Sequence, residues 1–206
     1  MQQIARGAEA ILYKENKKLI KERIMKSYRI KEIDEKLRRR RTRIEANLIR
    51  KARSTGIKVP QILEEEEFKI KMEYIDGKRV KDILNNNNYA EICQEIGKSI
   101  ALLHNFDIIH GDLTTSNMII KYKKNIGIQE KSFDIYFIDF GLGFISKRIE
   151  DKATDLFLLH EALESTHFDI FKKAWKIILK AYSKNYVDAE KVINVLNKIE
   201  KRRRYK

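Results

Sequence analysis

The stretch that most limits how this chain can fold is His110-Gly111-Asp112-Leu113-Thr114-Thr115-Ser116-Asn117, followed two short β-like runs later by Ile138-Asp139-Phe140-Gly141. Upstream, Ile92, Ile96, Ile100 and Leu103 recur at helical spacing. Downstream, Met118 to Tyr122 and Ile135 to Phe140 read as short strands. Asp112, Asn117 and Asp139 therefore fall at strand ends and after an apolar helix, where polar side chains can face a common cleft. Taken singly, each acid could also be an ordinary turn residue.

The two strings match elements of one chemistry. In an H-x-D-x-x-x-x-N loop the Asp orients or deprotonates an attacking oxygen, and the Asn five residues on reaches a magnesium ion. In a D-F-G element the Asp holds Mg²⁺ against nucleotide phosphates. Hard Mg²⁺ prefers oxygen ligands, and a carboxylate with an amide oxygen leaves room for water and phosphate. Such a site also takes a cation from a strand Lys held by a helix Glu. Lys21, in the β-like run Leu19 to Ile24, and Glu45, on a long basic helical pattern from Asp34 to Arg53, are the candidates. The plain alternative for Lys21 is one solvated lysine among many. The competing acids Glu32, Asp34 and Glu35 lie where a helix start attracts negative charge anyway.

The remaining pattern frames these residues. Gln2 to Ala5, Ile11 to Glu15 and Leu19 to Ile24 predict three antiparallel strands, and Gln61 to Leu63 and Phe68 to Tyr74 two more before an Asp76-Gly77 turn. On the basic helix, Leu37, Ile44 and Leu48 are expected to share the packed face. Asn85 to Asn88 predicts a surface loop. Later helical patterns place Phe168, Phe171, Trp175, Ile178, Leu179 and Tyr182 on one face, and Val192, Val195, Leu196 and Ile199 on another, with Asp188 as N-cap. Hydrophobic residues at 43% are enough for a core. The single cysteine, Cys93, excludes an internal disulfide and leaves a thiolate zinc site without partners. No apolar run long enough to cross a membrane occurs, and the expected location is cytoplasmic. Lys plus Arg number 44 against 30 Asp plus Glu, and the net charge of +14 favours polyanionic partners such as RNA or an acidic protein surface.

Read along its length, the chain resembles the small RIO-like atypical kinases of the KEOPS tRNA-modification complex, the p53-related protein kinase family. The resemblance rests on Arg6-Gly7-Ala8-Glu9-Ala10, Lys26-Ser27-Tyr28-Arg29, Arg39-Arg40-Arg41-Thr42 ahead of Glu45-Ala46, and Met72-Glu73-Tyr74-Ile75. It continues through His110 to Met118, the D-F-G string, Glu150 to Leu156 and the basic tail. It implies an α+β, two-lobed, protein-kinase-like fold of the RIO type in a single domain. A small β-rich N-lobe would span residues 1–76 and a mainly helical C-lobe, lacking a full activation segment, residues 77–206. It implies ATP and Mg²⁺ as cofactors. Asp112, Lys21 and Glu45 would be catalytic, and Asn117 and Asp139 would hold metal. Gly7, Ala8, Glu9 and Lys21 would bind nucleotide, with Met72, Glu73 and Ile75 meeting adenine. The implied activity is that of a serine/threonine kinase and ATPase supporting the threonylcarbamoyl transferase subunit, which some archaea fuse to the kinase in one chain. A small KEOPS regulatory subunit and tRNA would be further partners.

Departures from ordinary protein kinases carry information. The nucleotide loop has Gly7 where three glycines are usual. Gly111 replaces the Arg that docks a phosphorylated loop, and Thr114 stands in place of a Lys near the γ-phosphate. Thirteen residues separate Gly141 from Asp155, with no A-P-E element, which predicts slow chemistry and no general peptide groove. Two other readings fit the loop. One is a small-molecule phosphotransferase of the aminoglycoside or choline type, although only 65 residues follow Gly141 here. The other is a nucleotide-bound scaffold without turnover. Arg38 to Arg43 and the tail Lys201 to Lys206 are either phosphate contacts or solvated faces.

Overall fold

Short β-like runs at the N-terminus build an antiparallel five-stranded sheet, ordered β1-β2-β3-β5-β4, in the computed structural model, which describes residues 1–123 and 132–203. Its strands are β1 (Gln2–Arg6), β2 (Ala10–Glu15) and β3 (Lys18–Arg23), then, after helix α1 (Lys31–Ser54), β4 (Ile62–Glu65) and β5 (Lys69–Glu73). The β2–β3 hairpin closes at Glu15↔Lys18, and Asn16 takes the left-handed conformation (φ 54°) that such a tight turn needs and Asn tolerates.

Helix α1 joins the two cores of the molecule. Ala46 packs with Ile70 and Met72 beneath the sheet, while Leu48, Ile49 and Ala52 enter the larger cluster of the helical part. The face expected from Leu37, Ile44 and Leu48 is corrected here: Leu48 is buried, Leu37 half-buried and Ile44 exposed at 37%. The buried stripe instead runs through Thr42, Glu45, Ala46, Ile49 and Ala52, spaced by three and four residues. The packed face of α1 therefore carries a carboxylate inward.

The rest comprises β6 (Lys78–Arg79), α2 (Val80–Ile83), α3 (Tyr89–Asn105), β7 (Ile108–Ile109), β8 (Met118–Tyr122), β9 (Phe133–Phe137), β10 (Phe144–Ile145), α4 (Ile149–Thr166), α5 (Phe171–Asn185) and α6 (Ala189–Arg203). Strands β6, β8 and β9 form a small sheet, and β7 pairs with β10. The predicted helical seam of α3 is wholly buried, and Asp188 sits just before α6, where its carbonyl accepts the Val192 N–H. Asn85–Asn88 forms the connection between α2 and α3. Two expectations need correction. The strand predicted for Ile135 to Phe140 ends at Phe137, so Asp139 is released from the ladder. Phe168 lies outside α5 and is 76% exposed, because the chain turns between His167 and Ile170 before that helix begins. The tail is helical through Arg203; the expectation for residues 204–206 lies outside the described residues. Among the described residues no helix is long and apolar enough to cross a membrane.

Candidate active site

Strand alternation places Lys21 and Arg23 on the same face of β3, and both are buried. Opposite them α1 presents Glu45, 1% exposed. Lys21 Nζ donates to Glu45 Oε1 at 2.6 Å and to Asp139 Oδ1 at 2.7 Å, and Arg23 Nη2 donates to Glu45 Oε2 at 2.5 Å. Burial alone would pull the Lys21 ammonium down, but the two carboxylates outweigh it and hold the pKa above the ordinary 10.5. Burial likewise pushes Asp139 up, and the Lys21 charge beside it reverses the direction, to below 3.8. Asp139 adopts φ 62°, an uncommon conformation for a residue with a side chain, and its Oδ1 also accepts the Gly141 N–H at 3.3 Å.

The second wall is the loop after β7. Asp155, buried on α4, accepts the His110 N–H on Oδ2 at 2.8 Å and the Gly111 N–H on Oδ1 at 2.9 Å. Behind it His104 bridges Asp155 (3.4 Å) and the Tyr182 hydroxyl (2.8 Å). His110 is a clamp: its Nδ1 accepts the Asp112 N–H at 3.3 Å, so its Nε2–H donates to the Ile138 carbonyl at 3.1 Å, tying the two motif strings together. Gly111 cannot carry a side chain. Its φ is +78°, and a Cβ there would lie 2.3 Å from the Leu142 carbonyl oxygen, which accounts physically for the missing arginine at this place. Asn117 Nδ2 donates to Asp112 O at 2.9 Å and Oδ2 at 2.8 Å.

Between the walls lies a cavity of about 420 Å³, bordered by Gly7, Ala8, Glu9, Lys21, Asp112 and Asp139. Glu45 stands behind Lys21, and Asn117 beside Asp112. Met72, Glu73 and Ile75 do not border this cavity; Met72 and Ile75 are buried at the end of β5 and beyond it. The residues fit a hard cation. Asn117 spends its NH₂ on Asp112, leaving its amide oxygen without a partner among the described residues, and Asp139 Oδ2 is likewise unused. Arg6, Arg23, Arg41 and Arg79 also border the cavity, and none of them is among the nucleotide-binding residues expected from the sequence. Arg41 holds Glu9 of the β1–β2 loop at 2.8 Å, and Lys26 Nζ donates to the Ala8 carbonyl. The signal for Arg23 was present: two residues from Lys21 on a strand means the same face.

Comparison with known proteins agrees with this geometry. Residues 8–141 match the family model described as RIO domain. The "KEOPS complex subunit Bud32" of Pyrococcus abyssi is 42% identical over 197 residues, covering 88% of this chain and 85% of that protein. The chain belongs to the Bud32 family of RIO-domain proteins. The "Probable bifunctional tRNA threonylcarbamoyladenosine biosynthesis protein" of Methanosarcina mazei is 37% identical over 206 residues, and this chain spans only 35% of its length. Among solved structures, the Rio2 kinase-ADP/Mg²⁺-phosphoaspartate complex from Chaetomium thermophilum superposes with a TM-score of 0.68 at 16% identity, covering all of this chain and 72% of that one. The fold is thus protein-kinase-like, of the RIO type, with a sheet-rich N-terminal region and a helical C-terminal part.

Proposed function

We propose that this chain is a Mg-ATP-dependent phosphoryl-transfer enzyme, an ATPase and atypical serine/threonine kinase, acting within a KEOPS-type tRNA threonylcarbamoyladenosine system. The observation that carries the reading is the convergence of Lys21, Asp112 and Asp139 on one cavity, with Asn117 against Asp112. Bound Mg²⁺ would neutralise phosphate charge and draw density toward the bridging oxygens. Asp139 and Asn117 are the residues to hold it. Lys21 neutralises Asp139 through Oδ1; it would loosen that contact if Asp139 held the metal, and its ammonium would then be available to phosphate oxygens. Asp112 would orient the attacking water or hydroxyl and accept its proton, while the Asn117 amide fixes its rotamer. Gly7, Ala8 and Glu9 would cover the phosphates, and Met72, Glu73 and Ile75 would meet adenine by backbone contacts.

The 1–76 and 77–206 parts would work as one kinase-like domain in the cytoplasm. Its partners would be the threonylcarbamoyl transferase subunit, a small regulatory subunit and tRNA. The names of the Pyrococcus and Methanosarcina relatives support membership in a KEOPS-type tRNA-modification system. The test is phosphate release from Mg-ATP by the wild type and by Asp139→Ala, alone and with the transferase subunit and tRNA. Release that requires Asp139 and rises with partner and tRNA supports the reading. Release that is absent, or indifferent to both Asp139 and the partners, contradicts it.

A further inference from the structure

The buried ion cluster holds one cation more than a Lys–Glu pair calls for. Glu45 uses both carboxylate oxygens, Oε1 on Lys21 and Oε2 on Arg23, and Lys21 also holds Asp139 Oδ1, so two cations face two carboxylates. Arg23 is only 6% exposed, and its Nε is buried without a hydrogen-bond partner among the described residues. Burying a charge network of this kind is costly, and stability alone is a weak reason to keep it. Without Arg23, Glu45 Oε2 would be a desolvated anionic oxygen whose nearest remaining cation is Lys21. The carboxylate would then engage Lys21 with its full charge.

We propose that Arg23 is a positioning residue that satisfies the second oxygen of Glu45, so that Lys21 retains an unspent positive charge for the phosphates of a nucleoside triphosphate. Arg23 acts through Glu45 and Lys21 and need not touch the nucleotide. The inference rests on the phosphoryl-transfer reading above.

The test uses the whole chain with Arg23→Met, Arg23→Lys, Glu45→Gln and the double variant Arg23→Met/Glu45→Gln. Equilibrium binding of adenosine, ADP and Mg-ATP is measured beside ATP turnover. Arg23→Met is expected to weaken Mg-ATP by about tenfold or more, ADP by less and adenosine by no more than about twofold, with kcat reduced as well. Arg23→Lys recovers most of the loss. In the Glu45→Gln background, Arg23→Met adds no more than about twofold. Equal weakening of adenosine and ATP, no rescue by Lys, or an undiminished effect in the Glu45→Gln background overturns the proposal. Denaturant unfolding of the same four nucleotide-free proteins is the second readout. Non-additive losses for Arg23→Met and Glu45→Gln uphold the link between the two residues, and additive losses overturn it. If the wild type binds no nucleotide, the phosphoryl-transfer reading fails on that result, and the unfolding cycle still decides whether Arg23 acts through Glu45.

Discussion

The two walls of the cleft bury carboxylates by different means. On the sheet side Glu45 and Asp139 are neutralised by side-chain cations, Lys21 and Arg23. On the helical side Asp155 is held by the backbone N–H groups of His110 and Gly111, with His104 behind it. A charge paired with another charge can exchange partners when a new ion arrives, whereas one paired with backbone fixes the path of the chain. In the proposed reaction the sheet-side wall would therefore be the one to exchange partners, with the helical side as its fixed reference.

That contrast is sharpened most by Asp112→Ala, at the tip of the rigid wall. ATP turnover is expected to fall about a thousandfold while Mg-ATP affinity stays within a few-fold, because Asp112 would act on the attacking oxygen in the proposed reaction; steady-state kinetics beside a binding isotherm separate the two. Asp155→Ala strikes the support rather than the tip. It leaves two backbone donors and a buried imidazole without their acceptor, and should cost about 3 kcal/mol in denaturant unfolding.

The same carboxylate gives a pH signature. Burial pushes Asp155 up, but the His104 and backbone bonds outweigh it and place its pKa below the ordinary 3.8. A lowered pKa means stability that is fully present above the unfolded value and is lost as pH falls below about 3.8 toward the folded pKa. Asp155→Asn should accordingly flatten the stability curve in that acid range, and an unchanged slope in urea titrations from pH 5 downward would break the comparison. Gly111→Ala should lose about 1–3 kcal/mol, since it meets both a left-handed φ and the Leu142 carbonyl. At the small end, Phe168→Ser is expected to change unfolding by no more than about 0.5 kcal/mol, because that ring lies outside the core.

Much of this was legible in the sequence because the governing interactions are local or motif-bound. Short β-like runs set off by Gly7, Lys17-Lys18 and Asp76-Gly77 located β1 to β5, and the seam of α3 followed from a 3.6-residue period. The pairing of Lys21 with Glu45 was readable because strand lysine and helix glutamate are defined relative to the two motif strings. What escaped depended on tertiary neighbours. Ile44 looked like core by its offset from Leu37, yet both lie to one side of the inward stripe, which is centred on Thr42, Glu45 and Ile49. The need for glycine at 111 comes from the Leu142 carbonyl, which nothing near Gly111 in the sequence announces. Arg23 was hidden among 44 lysines and arginines, and only its register with Lys21 on β3 distinguishes it.

The most direct measurement of the proposed division of labour is a crystal structure of this chain with Mg²⁺ and a non-hydrolysable ATP analogue. The account predicts that Asp139 leaves Lys21 for the metal, that Lys21 turns to phosphate oxygens while Arg23 keeps Glu45, and that the Asp155 contacts to His110 and Gly111 persist at their present 2.8 and 2.9 Å. A complex in which Asp139 still holds Lys21, or in which the Asp155 contacts break while the sheet-side ion pairs stay as they are, would contradict it.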